Sequence, residues 1–220
     1  MGRPRQHNEQ TREALLIAAE QLIAHGGLDA VSTRAVAEQA GATTRAVYSL
    51  FGSKQGLLHA LAARGFLLLA DRVQAVPVTA DPGADLVNVA VCAFRGWALA
   101  HPNLFRVVFG LPDTDLRTVP AVGPASRAAL GQLRNRIERA SDAGLLGTRP
   151  IDEVVVEWHA LGEGLASVEL RGQMIAPEDA ERMWRDTMPA YLRGLSTPHQ
   201  PRDAPANGKG EAQLQASATT

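Results

Sequence analysis

Cysteine is almost missing from this chain. Cys92 stands alone, so no intrachain disulfide forms and a cysteine-built zinc site is excluded. Its neighbours Ala90, Val91, Ala93 and Phe94 mark it as a small buried hydrophobe. Aromatic residues are scarce as well, at 5% of 220 residues, which disfavours a β-sandwich or barrel. No stretch approaches the ~18 uncharged apolar residues of a membrane-spanning helix. The N-terminus, Met1-Gly2-Arg3-Pro4-Arg5, runs into charged residues and carries no signal-peptide core. A soluble cytoplasmic protein without membrane contact is expected. The net charge of −1 argues against indiscriminate coating of nucleic acid. No G-x-S-x-G, phosphate-cradling glycine loop, HExxH or cysteine nucleophile site occurs, so neither an enzyme nor a cofactor is read from the chain. His101 and His159 lack a partner histidine, and no metal is expected.

What remains is helical material. Hydrophobic residues make up 45% of the chain, rich in Ala, Leu and Val, and punctuation divides them into about nine segments with no convincing strand. The first runs from Glu9 to His25, with Leu15, Ala18, Ala19, Leu22 and Ile23 on one face, and Gly26-Gly27 ends it. Thr33–Gln39 follows N-cap Ser32, a third segment spans about Thr43 to Phe51, and a fourth runs from Ser53 to Val76. After Asp81-Pro82 come helices over Asp85–Ala100, Asn103–Phe109, Pro124–Ala143, Ile151–Gly172 and Pro177–Gly194. From residue 196 the composition turns to Pro, Ala, Gly, Gln, Ser and Thr, that of a disordered tail. The expected fold is all-α, with a helix-turn-helix head over 1–60, a helical bundle over 61–195 and the tail over 196–220.

The chemistry concentrates in residues 32–54. Two short helices meet at Gly41, where a tight turn needs the positive φ that glycine adopts cheaply. Val36, Ala37, Ala40 and Val47 are small enough for the helices to cross closely. Thr43 caps the second helix and leaves Thr44, Arg45 and Ser49 on the face that would enter a major groove. Arg45 suits a bidentate pair with guanine, and Thr44 a thymine methyl or base edge. Thr33, Arg34, Tyr48 and Lys54 stand where side chains would meet phosphates, Lys54 also at a helix N-terminus. The Arg3-Pro4-Arg5 arm would add backbone or minor-groove contacts or serve solubility. Up to residue 66 the chain carries two more basic than acidic side chains, a mild asymmetry. Spacing alone leaves an ordinary helical hairpin equally open.

The run Ala35-Val36-Ala37, Ala40-Gly41, Thr43, Val47-Tyr48, Phe51, Ser53-Lys54 and Leu57-Leu58 resembles the head of the tetracycline-repressor (TetR) family. The likeness extends back through Ala14, Ala18-Ala19, Leu22, Gly26, Leu28 and Val31-Ser32. Leu50 stands where the family often has His or Tyr, and Gly56 where an acid is common. The resemblance implies a transcriptional repressor: a homodimer on a palindromic double-stranded operator, released by a small apolar or amphipathic effector. An effector-independent DNA-binding factor and an activator stay open beside it.

The body suits such a role. Leu161, Leu165 and Val168 in one helix and Trp184, Met188 and Tyr191 in the last form apolar stripes for either a dimer interface or the monomer core. Phe94, Trp97, His101, Phe105, Arg106, Trp158 and His159 are candidates to line a ligand pocket or to pack the core. Glu163, on an otherwise apolar helix, would need a partner such as Arg106 or a ligand amine if buried.

Overall fold

A computed structural model describes residues 3–111, 116–172 and 176–196; the expected tail beyond Ser196 lies outside the described residues. Among those residues the chain is helical and contains no strand.

Helix α1 spans Arg3–Gly26 and begins earlier than the expected Glu9. Pro4 falls in its first turn, where no helical N–H is required, and no breaker follows before Gly26. The backbone of Arg3 and Arg5 therefore belongs to that turn and not to a separate arm. Leu15, Leu16, Ala18, Ala19 and Ile23 are buried against α2 (Thr33–Gln39) and α3 (Thr44–Phe51), whose inward residues are Val36, Ala37 and Val47. Each cap expected from the sequence is made. Ser32 Oγ accepts from Ala35 N at 3.1 Å, Thr43 Oγ1 from Ala46 N at 3.2 Å, and Ser53 Oγ from Gly56 N at 2.9 Å. Gly41 has φ 61°, the left-handed turn that brings α3 back across α2.

The long α4 (Lys54–Ala75) carries the chain from head to body. Arg64 ties it to α1 through Glu13 at 2.7 Å, a half-exposed pair worth under about 1 kcal/mol. Beyond it, α5 (Pro82–Asn88), a π-helical segment (Val89–Arg95) and α6 (Gly96–Ala100) run on as one rod, followed by α7 (Pro102–Gly110), α8 (Gly123–Asp142), α9 (Ile151–Arg171) and α10 (Pro177–Leu195). Counting the rod once, the nine expected helices are present among the described residues. The π segment departs from the expected continuous α-helix, and its wider turn shifts the faces set by α-helical spacing. Cys92 lies on its outer side and is exposed, which corrects the expectation of a buried thiol.

Two arginines on α8 hold the far end of α4. The buried Arg136 donates to the carbonyls of Pro77 at 3.0 Å, Val73 at 3.3 Å and Val76, satisfying groups a helix C-terminus leaves open. Arg139 bonds the carbonyl of Thr79 at 2.8 Å and the buried Asp85 carboxylate at 2.8 Å. On the other side of the body, Arg95 grips Glu169 through Nε and Nη2 at 2.9–3.1 Å, and Trp184 Nε1 donates to the same carboxylate at 2.9 Å. One carboxylate thus joins the π segment, α9 and α10.

Candidate nucleic-acid interface and ligand cavity

The outer face of the head comes from the two capped helices. Arg34, Thr43, Thr44, Arg45, Tyr48, Ser49 and Lys54 are all exposed there, and Thr33 is half-buried. Tyr48 is 55% exposed although it is among the largest side chains of α3, while its neighbour Val47 is fully buried. Burying Val47 in the core of the head fixes which way α3 rolls, and its polar N-terminal turn is left facing solvent. Lys54 opens α4 beside the Ser53 cap, where unpaired helical N–H groups favour an anion. Phe51 is half-buried, with the Arg12 guanidinium 5.4 Å above its ring. The surface exposes basic and hydroxyl side chains from several elements on one head.

The body contains an aromatic cluster centred on Phe94. Its ring lies 6.0–6.5 Å from those of Trp97, Phe105, Phe109, His159 and Trp184. The residues expected to line a pocket separate into three groups. Phe94, Trp158 and His159 border an almost wholly apolar cavity of about 40 Å³, together with Phe66, Leu69, Val89, Leu133 and Gly162. Phe105, Arg106 and Glu163 line a more open cleft of about 380 Å³, with Leu28, Phe109, Gly110 and Ser167. Trp97 and His101 line neither. Trp97 is fully buried, with its indole N–H unpaired. His101 sits at the break between α6 and α7, where burial and the charges of Arg72 and Arg64 lower its pKa.

His159 stands between the two spaces. Its ring lies 5.5 Å from that of Phe109 of the cleft, and burial lowers its pKa. Glu163 Oε2 lies 3.9 Å from His159 Nε2, and burial raises the Glu163 pKa. The Arg106 partner foreseen for Glu163 shares its cleft but is not within ion-pair distance among the described residues. Gly162 packs against Phe94, and a Cβ there would lie 3.6 Å from that ring, an ordinary van der Waals contact. Phe66 and Leu69 of α4 form one side of the enclosed cavity, so the helix that leaves the head also walls the space in the body. The sequence pointed to the aromatic and polar residues of the body but not to α4 and α8 as walls, whose lining residues are mostly aliphatic.

The stripes on the last two helices divide as well. Trp184 and Met188 are 0% exposed and belong to the core of the chain, so they have no surface to offer a partner. Their i, i+4 spacing follows the inward face of α10, set by Trp184's bond to Glu169. Leu161, Leu165, Val168 and Tyr191 are half-buried, and Tyr191 donates to Glu157 at 2.5 Å while its ring packs on Trp158. The outward face of α9 carries Val156, which is 65% exposed, with Ala160 and Gly164 at the same four-residue spacing.

Comparison with known proteins agrees with this architecture in both halves. Residues 15–61 match the model for bacterial regulatory proteins of the tetR family, and residues 86–191 that for the tetracyclin repressor-like C-terminal domain. An HTH-type transcriptional regulator of Mycobacterium tuberculosis is 31% identical over 132 residues, 58% of this chain and 56% of that protein. The class C tetracycline repressor of Escherichia coli is 30% identical over 137 residues, 62% of this chain and 58% of the repressor. The aligned stretch thus spans less than two thirds of either relative. A Rhodococcus protein of unknown function, solved structurally, superposes with a TM-score of 0.71 at 26% identity over 84% of this chain and 95% of its own. Fold and matches define a two-part helix-turn-helix regulatory protein, and the named relatives are a transcriptional regulator and a repressor. The chain belongs to the tetracycline-repressor (TetR) family.

Proposed function

We propose that this protein is a one-component transcriptional repressor of the cytoplasm. Two copies hold a palindromic double-stranded operator through their α3 helices and let go when a small apolar or amphipathic effector enters the body. The head is the part up to residue 60, and residues 61–195 bind effector and partner. The observation that carries this reading is the split of α3, with Val47 fully buried and Thr44, Arg45, Tyr48 and Ser49 exposed. A helix pinned on one side and polar on the other is the form that enters a major groove, where Arg45 reads guanine and Tyr48 and Lys54 hold phosphates.

Dimerisation through α9 and α10 is supported by the Val156, Ala160 and Gly164 stripe and by Ala190 and Gly194 on α10. A Cβ added to Gly164 or Gly194 would meet nothing within 4 Å, so both faces are open to a second copy. Four helices, two from each chain, would close a two-fold bundle. Effector control is supported by the aromatic cavity and cleft, and by the repressor named in the E. coli relative. The small volume of the enclosed cavity favours a second reading, an effector-independent factor or activator. A gel shift with the DNA upstream of the protein's own gene tests the first reading, and loss of the shift on adding effector separates it from the second.

A further inference from the structure

Among the described residues of the body, the carboxylate of Glu163 has no Lys or Arg within ion-pair distance and opens on a cleft. Glu163 is half-buried on α9, and among the described residues its ionisable neighbour within 4 Å is His159, at 3.9 Å. Burial lowers the pKa of that imidazole and so disfavours its charged form. The cleft beside Glu163 is lined by the half-buried ring of Phe109 and by Phe105, which is 6% exposed and packs with its centroid 4.8 Å from that of Phe109. A carboxylate beside aromatic faces attracts an organic cation twice, through its charge and through the negative faces of the rings. At about 380 Å³ the cleft falls in the size range of small-molecule sites.

We infer that the cleft between α7 and α9 binds a small organic cation with an apolar body, its positive centre on Glu163 and its body on Phe105 and Phe109. Arg106 also lines the cleft, but it is exposed and so remains hydrated. An anion there would gain one solvated guanidinium and would face the Glu163 carboxylate. The site also reaches the head. Leu28, in the turn that follows α1, forms the far wall, and a Cβ built on Gly110 of α7 would lie 3.8 Å from its side chain. A bound cation therefore touches the turn that sets α1 against α2. This rests on the regulator reading above and gives it an effector class.

The test is a calorimetric titration of the full chain with three probes of similar size and different charge: benzyltrimethylammonium, neutral neopentylbenzene and anionic benzenesulfonate. The cation should bind about tenfold more tightly than either of the other two. Glu163→Gln should lose about tenfold for the cation alone, Phe109→Leu should weaken the cation more than the neutral probe, and Arg106→Gln should not weaken it. Melting curves of each variant show that it is folded, and Glu163→Asp should retain part of the affinity where Glu163→Gln does not. Preference for benzenesulfonate with dependence on Arg106, or equal binding of cation and neutral probe, overturns the proposal. The same cation is then added to the protein–operator complex, and release of DNA is expected. Binding without release overturns its role as effector. Absence of any specific DNA complex, with the cation titration as expected, would instead count against the regulator reading and leave the site standing.

Discussion

Arg139 of α8 donates to Asp85 Oδ2 at 2.8 Å, across the connection between α4 and α5. Asp85 is 1% exposed and also accepts from Thr79 N at 2.8 Å and Thr79 Oγ1 at 2.7 Å. Burial alone would raise its pKa. The bonds from Arg139 and Thr79 outweigh burial and pull it from 3.8 down to about 2. Since the folded value is the lower one, Asp85 adds stability above pH 3.8 and loses it as the pH falls toward about 2. Asp85→Asn should cost about 1–3 kcal/mol at neutral pH, by leaving buried donors poorly paired. Urea unfolding from neutral pH downward should show the gap between variant and wild type closing through that window. A gap that widens on acidification would contradict the assignment.

Glu169 accepts bonds from both Arg95 and Trp184, and both members of the ion pair are largely buried. Glu169→Ala leaves Arg95 with only the half-exposed Glu181, 3.2 Å away, and leaves the Trp184 N–H without its acceptor, and should cost about 1–3 kcal/mol, more than an exposed pair. Thermal unfolding measures it. The exposed pair of Arg182 with Asp179 is the control, and Asp179→Ala should change stability by under about 1 kcal/mol.

Core and interface separate in a paired experiment. Trp184→Ala removes a fully buried ring and should lower stability by about 3–5 kcal/mol. Gly164→Glu adds a charge on an open face and should leave the melting temperature of the isolated chain nearly unchanged. In light scattering it should convert a dimer to a monomer. A dimer that survives Gly164→Glu would move the interface elsewhere.

Gly41 is the pivot of the head. Its φ of 61° suits glycine, and a Cβ there meets nothing within 4 Å, so any penalty is conformational. Gly41→Val should cost about 1–2 kcal/mol. Hydrogen exchange should show α2 and α3 loosening while α8 stays protected.

Much of this fold is legible in the sequence. Ser32, Thr43 and Ser53 announce their helices because capping is local chemistry, and Gly41 announces its turn for the same reason. Val36, Ala37 and Val47 mark the inward face of the head by spacing alone. Long-range facts are not legible. Nothing in the order Val89 to Arg95 signals a π turn, and the apolar neighbours of Cys92 mark it as buried although it faces outward. Trp184 and Met188 read from the sequence as interface, with core as the alternative, and their full burial beside the Trp184–Glu169 bond places them in the core. The aromatic residues of the body stand out as candidates, but only packing divides Phe94 and His159 from Phe105 and Glu163. Arg136 and Arg139 give no signal at all, since their partners are backbone and carboxylate groups far away in sequence.

The central claim is that α3 reads DNA through Arg45. It is tested most directly by footprinting the DNA upstream of the gene with wild type and Arg45→Ala. Wild type should protect a palindrome whose half-sites are about one helical turn (~34 Å) apart. Arg45→Ala, still folded, should bind that site about 10- to 100-fold more weakly, in line with the loss of a bidentate base contact. Equal protection by both proteins, or none by either, would contradict it.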